Sequence, residues 1–155
     1  MSETARLRTA KAFISMFGNL DTSLLSSILA PSYVHTFAPA SLQDRLRTKG
    51  KTEMVSHIAS LRNIMTGFPV YAKSYFECDA ENMVTVWATS KVEWKEQLLR
   101  QVDNPGEWEY EGEYIFFIWL DETGEKIVRV VEFLDSFKTV KLMGLMKTAR
   151  ELGEK

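Results

Sequence analysis

One cysteine, Cys78, stands in a chain of 155 residues, so no disulfide can form within it and a thiolate zinc cage is excluded. A reducing compartment suits such a chain, and the cytoplasm is its expected location. An excess of charge of one sign is also missing. There are 19 Lys and Arg against 21 Asp and Glu, a net charge of -2, which leaves no protein-wide basic field for gripping nucleic acid. The longest apolar run, Tyr114 to Leu120, is seven residues, against the ~20 that a membrane helix requires. The first residues carry no long apolar stretch of the kind that opens a secretory signal. Two histidines, His35 and His57, have no third ligand motif beside them and do not make a metal site. GxGxxG, P-loop and GxSxG patterns are absent, so a nucleotide cofactor and a nucleophile elbow both lack support. The chain is expected to work without cofactor or metal.

What the chain does have is large rings: nine Phe, five Tyr and four Trp. A domain this small does not need so many merely to fill a core, and a lined cavity for a hydrophobic small molecule is the natural use. Hydrophobic residues at 45% and charged residues at 26% fit one soluble globular domain spanning residues 1–155.

Leu7, Ala10, Ile14 and Phe17 recur at helical spacing and predict a helix over Glu3 to Phe17, with Ser2 as N-cap. Asp21 caps a short second helix that Pro31 ends. Tyr33 to Phe37 reads as a short strand, and Pro39 to Gly50 as a loop. Within that loop Arg45, Arg47, Lys49 and Lys51 alternate as a solvated rim able to attract an anion. A third helix runs from Thr52 to about Met65, with Met54, Ile58, Leu61 and Met65 on one face. Long strands follow at Val70–Cys78, Met83–Gln97, Trp108–Leu120 and Lys126–Ser136, and a helix from Phe137 to Leu152 closes the chain. Helices followed by long antiparallel strands make an α+β pattern. Three N-terminal helices cannot cover both faces of such a sheet, so a strongly curved sheet should wrap them around a conical cavity.

The stretch from Trp108 to Ser136 carries most of the chemistry. Its strands meet at Glu122-Thr123-Gly124, which suits a type I turn closed by a left-handed Gly. That turn sets Asp121 against Glu125, Phe116 against Val130 and Tyr114 against Glu132. A two-residue loop would slip the register by one and put Tyr114 and Glu132 on opposite faces. The first register gives an inner face of Tyr110, Gly112, Tyr114, Phe116, Ile118, Val128, Val130, Glu132 and Leu134. The outer face then shows an apolar patch of Ile115, Phe117, Trp119, Val131 and Phe133, large enough to call for a homodimer through the outer sheet faces. Glu132 is the leading catalytic candidate, because a carboxylate in an apolar row is costly and its pKa rises toward the range useful for proton transfer. Tyr114 is placed to hydrogen-bond Glu132 or a substrate oxygen. Tyr110 reaches the cavity mouth only if the chain bends at Gly112.

His35, between Tyr33 and Phe37, is a second acid/base candidate. His57 lies beside the apolar face of the third helix. Ala88, Ser90 and Trp94 share one strand face and Trp87 takes the other, and periodicity does not say which is inward. Phe116, Trp94, Ser90, His57 and Phe37 are the candidate pocket lining.

Three stretches, "YVHTFAPASL" at 33–42, "GKTEMVSHIASLR" at 50–62 and "GEYIFFIWLDETGEKIVRVVEFLDS" at 112–136, resemble the SnoaL-like branch of the NTF2-like superfamily. The resemblance implies a cone-shaped α+β barrel, with a curved antiparallel sheet around three N-terminal helices and a C-terminal helix. It also implies cofactor-free isomerase or cyclase chemistry in fungal secondary metabolism, by a protein that is usually a homodimer. By position, Tyr110, Tyr114 and Glu132 resemble the strand Tyr and Glu residues of a fungal alkaloid semipinacolase. An epoxide hydrolase or dehydratase in the same cavity is the first alternative, and a non-catalytic ligand- or partner-binding module of the same fold is the second.

Overall fold

In the computed structural model, which describes residues 2–154, helix α1 (Ala5–Met16) begins at Thr4, whose hydroxyl accepts from the Leu7 amide. The cap is therefore Thr4 and not Ser2. Asp21 caps α2 (Thr22–Ile28) as expected, accepting from the Leu24 amide at 3.0 Å. Strand β1 (Leu29–Ala38) is longer than the expected Tyr33–Phe37 and contains Pro31. The proline is tolerated because the ladder is interrupted between Leu29 and Val34. A 3-10 turn at Ala40–Leu42 and the two-residue strand β2 (Lys49–Gly50) lead into α3 (Lys51–Leu61).

Helix α3 stops at Leu61 rather than Met65 because β3 (Met65–Gly67) is drawn into a two-stranded sheet with β6 (Glu93–Trp94). The same small sheet breaks the long strand expected over Met83–Gln97. It becomes β5 (Met83–Lys91), β6 and a single helical turn, α4 (Glu96–Leu99). Strand β4 (Val70–Cys78) has the expected bounds. A 3-10 turn at Pro105–Trp108 delays β7 to Glu111–Leu120. Strand β8 (Ile127–Leu134) ends early because Asp135 turns away to cap α5 (Ser136–Gly153), accepting from the Lys138 amide at 3.1 Å.

Six strands form the main curved sheet in the order β2-β1-β8-β7-β5-β4. All its pairs are antiparallel except β1–β8, which is parallel, a departure from the purely antiparallel sheet expected. Helix α1 lies against β4 and β5, and α3 against β1. Alternation along β5 is clean: Val84, Val86, Ala88 and Ser90 are buried and Trp87 is exposed, which settles its inner face.

The β7–β8 register differs from the expected one by two residues. Gly124 does take a left-handed φ of 76°, and its amide donates to the Asp121 carbonyl. However, Asp121 pairs with Lys126, not Glu125, and a bulge at Val128 follows, with Leu120 against Ile127 and Trp119 against Arg129. Phe116 therefore faces Glu132, and Tyr114 faces Leu134. A slide of two preserves the side-chain faces, so Tyr114, Phe116, Val130 and Glu132 still point inward. Around the bulge the faces change: Ile127, expected outside, is fully buried, and Val128, expected inside, is only half-buried.

Candidate active site

Strand β1 carries Tyr33, His35 and Phe37 at alternate positions, so all three face the interior, where all three are buried. In the parallel pairing with β8, Phe37 lies beside Glu132 and His35 beside Val130. His35 thus sits one inward position before Glu132, and its Nε2 is 2.9 Å from Glu132 Oε1. Its other nitrogen, Nδ1, is 2.5 Å from the Tyr33 hydroxyl. Nε2 meets the Glu132 carboxyl as donor, and Nδ1 faces the Tyr33 O–H, the tautomer of His35 setting the roles along the line. Burial, and then the Glu132 charge, push the Tyr33 phenol well above its ordinary pKa, which keeps that proton on oxygen. The three side chains form a buried line from phenol to imidazole to carboxylate.

Glu132 is the member of that line that reaches the cavity. The cavity is 330 Å³, and its lining includes Phe17, Phe37, Met54, Phe68, Tyr114 and Glu132. Helix α5 supplies another wall: Thr139, Leu142, Met143, Met146 and Arg150 recur every three or four residues along one helical face. Oε1 of Glu132 is taken by His35, leaving the second oxygen to meet a ligand. The Thr139 hydroxyl, on the same wall, is buried beside the Tyr110 hydroxyl.

Tyr114 and Tyr110 form the second polar element, their hydroxyls 2.7 Å apart. Tyr110 folds back over Gly112: a Cβ added there would come within 2.1 Å of its hydroxyl. The glycine thus allows two tyrosines four residues apart to meet, where a straight strand would hold them ~13 Å apart. Burial raises the pKa of both phenols, so both remain protonated donors at neutral pH.

The structure brings Glu132, His35 and Tyr33 together, and separately pairs Tyr114 with Tyr110. The expected hydrogen bond between Tyr114 and Glu132 is replaced by the tyrosine pair, a consequence of the shifted register. His57 and Phe37 line the cavity. Phe116 does not: it stacks on Tyr114 and meets Phe13 edge-on, as core. Trp94 lies outside the wall, packed edge-to-face on Trp108 and donating to its carbonyl. Ser90 is buried opposite Gly112, behind the wall. Tyr33, Thr139 and Arg150 were not anticipated as site residues, whereas Arg45 and Lys49 belong to the rim expected to attract an anion. The alternation Tyr33-x-His35 and the stripe 139–143–146–150 were the available signals for the first three.

Burial, and then the charges of Lys49, His35 and Arg150, lower the His57 pKa to about 4, so this imidazole is neutral at physiological pH. Among the described residues no cluster of His, Cys, Asp and Glu is arranged to hold a metal ion.

No family model matches the chain, and no curated protein matches it in sequence. Solved structures do match it in shape. BvnE pinacolase from Penicillium brevicompactum superposes with a TM-score of 0.77 at 19% identity, covering 94% of this chain and 96% of that one. AusH from Aspergillus nidulans gives 0.69 at 21% identity, covering 85% and 84%. A candidate SnoaL-like polyketide cyclase from Shewanella denitrificans gives 0.68 at 10% identity, covering 90% and 96%. With the curved six-stranded sheet, three N-terminal helices and a C-terminal helix over the cavity, the chain has the NTF2-like fold of the SnoaL-like and NTF2-like structures it matches.

Proposed function

We propose that the protein is a cofactor-independent isomerase or cyclase that acts on a polycyclic natural-product intermediate of fungal secondary metabolism by acid/base chemistry. The observation that carries this reading is Glu132. It is the only carboxylate among the described residues of an apolar cavity wall, and it is held from behind by His35 and Tyr33. Glu132 takes a proton from the substrate and returns it at another position, so the product has the same composition as the substrate. His35 donates to the carboxylate and fixes its orientation, and Tyr33 fixes the tautomer of His35. Tyr114, backed by Tyr110, donates to a carbonyl or hydroxyl oxygen of the substrate as charge develops on it. Apolar walls fold the substrate into a reactive shape, which adds an orientation contribution. The likeness in shape to BvnE pinacolase supports a rearrangement of this kind.

The protein works as a homodimer. On the outer face Trp87, Ile115 and Phe133 pair across β5, β7 and β8 in one exposed row, with Phe117 and Val131 beside them. A second copy packed face to face covers them. The exposed free thiol of Cys78 favours the cytoplasm.

The test is incubation with an extract rich in polycyclic intermediates in water labelled with heavy oxygen, followed by mass spectrometry. A product of unchanged mass without label is expected. Uptake of labelled oxygen would assign hydrolysis instead, and loss of the mass of water would assign dehydration.

A further inference from the structure

The same cavity is apolar inside and cationic at its mouth. Arg45 from the loop after β1, Lys49 on β2 and Arg150 on α5 all line it, Arg45 and Arg150 being exposed and Lys49 half-buried. Two chain segments deliver them: the basic run at 45–51 supplies Arg45 and Lys49, and helix α5, about a hundred positions later, brings Arg150 to the same opening. Among the described residues none of the three forms an ion pair. None of the three pairs with Glu132, whose Oε1 lies 2.9 Å from His35 Nε2. Gathering three like charges around one opening, in a protein whose net charge is -2, is unfavourable unless something negative comes to them.

We infer that the ligand of this cavity is an apolar multi-ring acid whose anionic oxygen, a carboxylate or an ionised enol, is held by Arg45, Lys49 and Arg150. Its rings lie against Phe37, Phe68, Leu142 and Met146, toward Glu132. A guanidinium suits such an oxygen because it offers paired donors in one plane. The inference shares the cavity with the proposed isomerase and names its substrate class, but it does not depend on turnover.

Fluorescence titration with anthracene-2-carboxylate and its neutral methyl ester tests it. 2-Hydroxy-1,4-naphthoquinone and its methyl ether form a second pair that separates an enolate from a carboxylate. In at least one pair the wild-type protein should bind the anion at least about tenfold more tightly than the neutral partner at low salt. Added salt should shrink that preference. The double variant Arg45→Gln/Arg150→Gln, altered only at exposed positions, should lose it while binding the neutral partner as before. Equal binding within both pairs overturns the inference, as does a variant that weakens acid and ester alike. Because only binding is read, Glu132→Gln should keep or strengthen the preference for the anion. Failure of the acid/base reading would therefore leave this result standing, and loss of the preference would leave the role of Glu132 untouched.

Discussion

Gly112→Ala puts one methyl group where Tyr110 folds back. The added Cβ would lie 2.1 Å from the Tyr110 hydroxyl, 2.8 Å from its Cζ and 2.9 Å from the Tyr114 hydroxyl. Both rings are buried and packed against Phe68, so neither can swing away freely. Overpacking of this kind costs about 1–3 kcal/mol, and breaking the buried bond between the hydroxyls adds about 1 kcal/mol. Restricting the unfolded chain by replacing glycine offsets about 0.4–1 kcal/mol. The variant should therefore lose roughly 1–3 kcal/mol, read by urea denaturation followed by circular dichroism. Tyr110→Leu removes the obstructing ring at its own cost, and in that background the added methyl should be nearly harmless. A double variant whose loss equals the sum of the two single losses would refute the clash, as would a Gly112→Ala protein as stable as wild type.

Tyr33→Phe leaves His35 Nδ1 buried without its donor and should lower stability by about 1–3 kcal/mol in the same assay, whereas an unchanged midpoint would dissolve the relay. The folded-state pKa of His57 lies below its unfolded value, so the unfolded chain takes up the proton first as pH falls. Stability present above pH ~6.5 is then lost toward pH 4, by up to about 3 kcal/mol, and His57→Gln should flatten that slope between pH 7 and pH 4.5. Identical slopes in the two proteins would contradict a buried neutral imidazole. Ile115→Glu places a charge in the middle of the row Trp87–Ile115–Phe133 and should yield monomers by light scattering, where wild type gives dimers. A wild-type monomer at micromolar concentration would remove the dimer.

Period-two alternation was enough to place Glu132 and Tyr114 inside, because it depends on parity alone and survives a register slide of two residues. It was not enough to say which residues touch. A turn longer by one residue and the bulge at Val128 together moved Glu132 from Tyr114 to Phe116, and both are set by how the turn packs, here with Gly124 against the start of α1. The parallel pairing of β1 with β8 joins segments about a hundred positions apart, and no local pattern announces it. That pairing is what turns His35 and Glu132 from two candidates into one unit. Trp94 was misplaced for a related reason. Strand β6 leaves the main sheet to pair with β3, so the long run of alternation hid a break. Arg45 and Arg150 looked like solvated charges because charge alone does not tell where a loop and a helix will meet.

The central claim is that the carboxylate of Glu132 moves a proton. It is tested most directly by the turnover of Glu132→Gln, which keeps the shape of the side chain and removes its titration. On the substrate that wild type converts without change of mass, the folded variant should be slower by about 10²-fold or more. Full turnover by a variant with an unchanged circular dichroism spectrum would contradict the account.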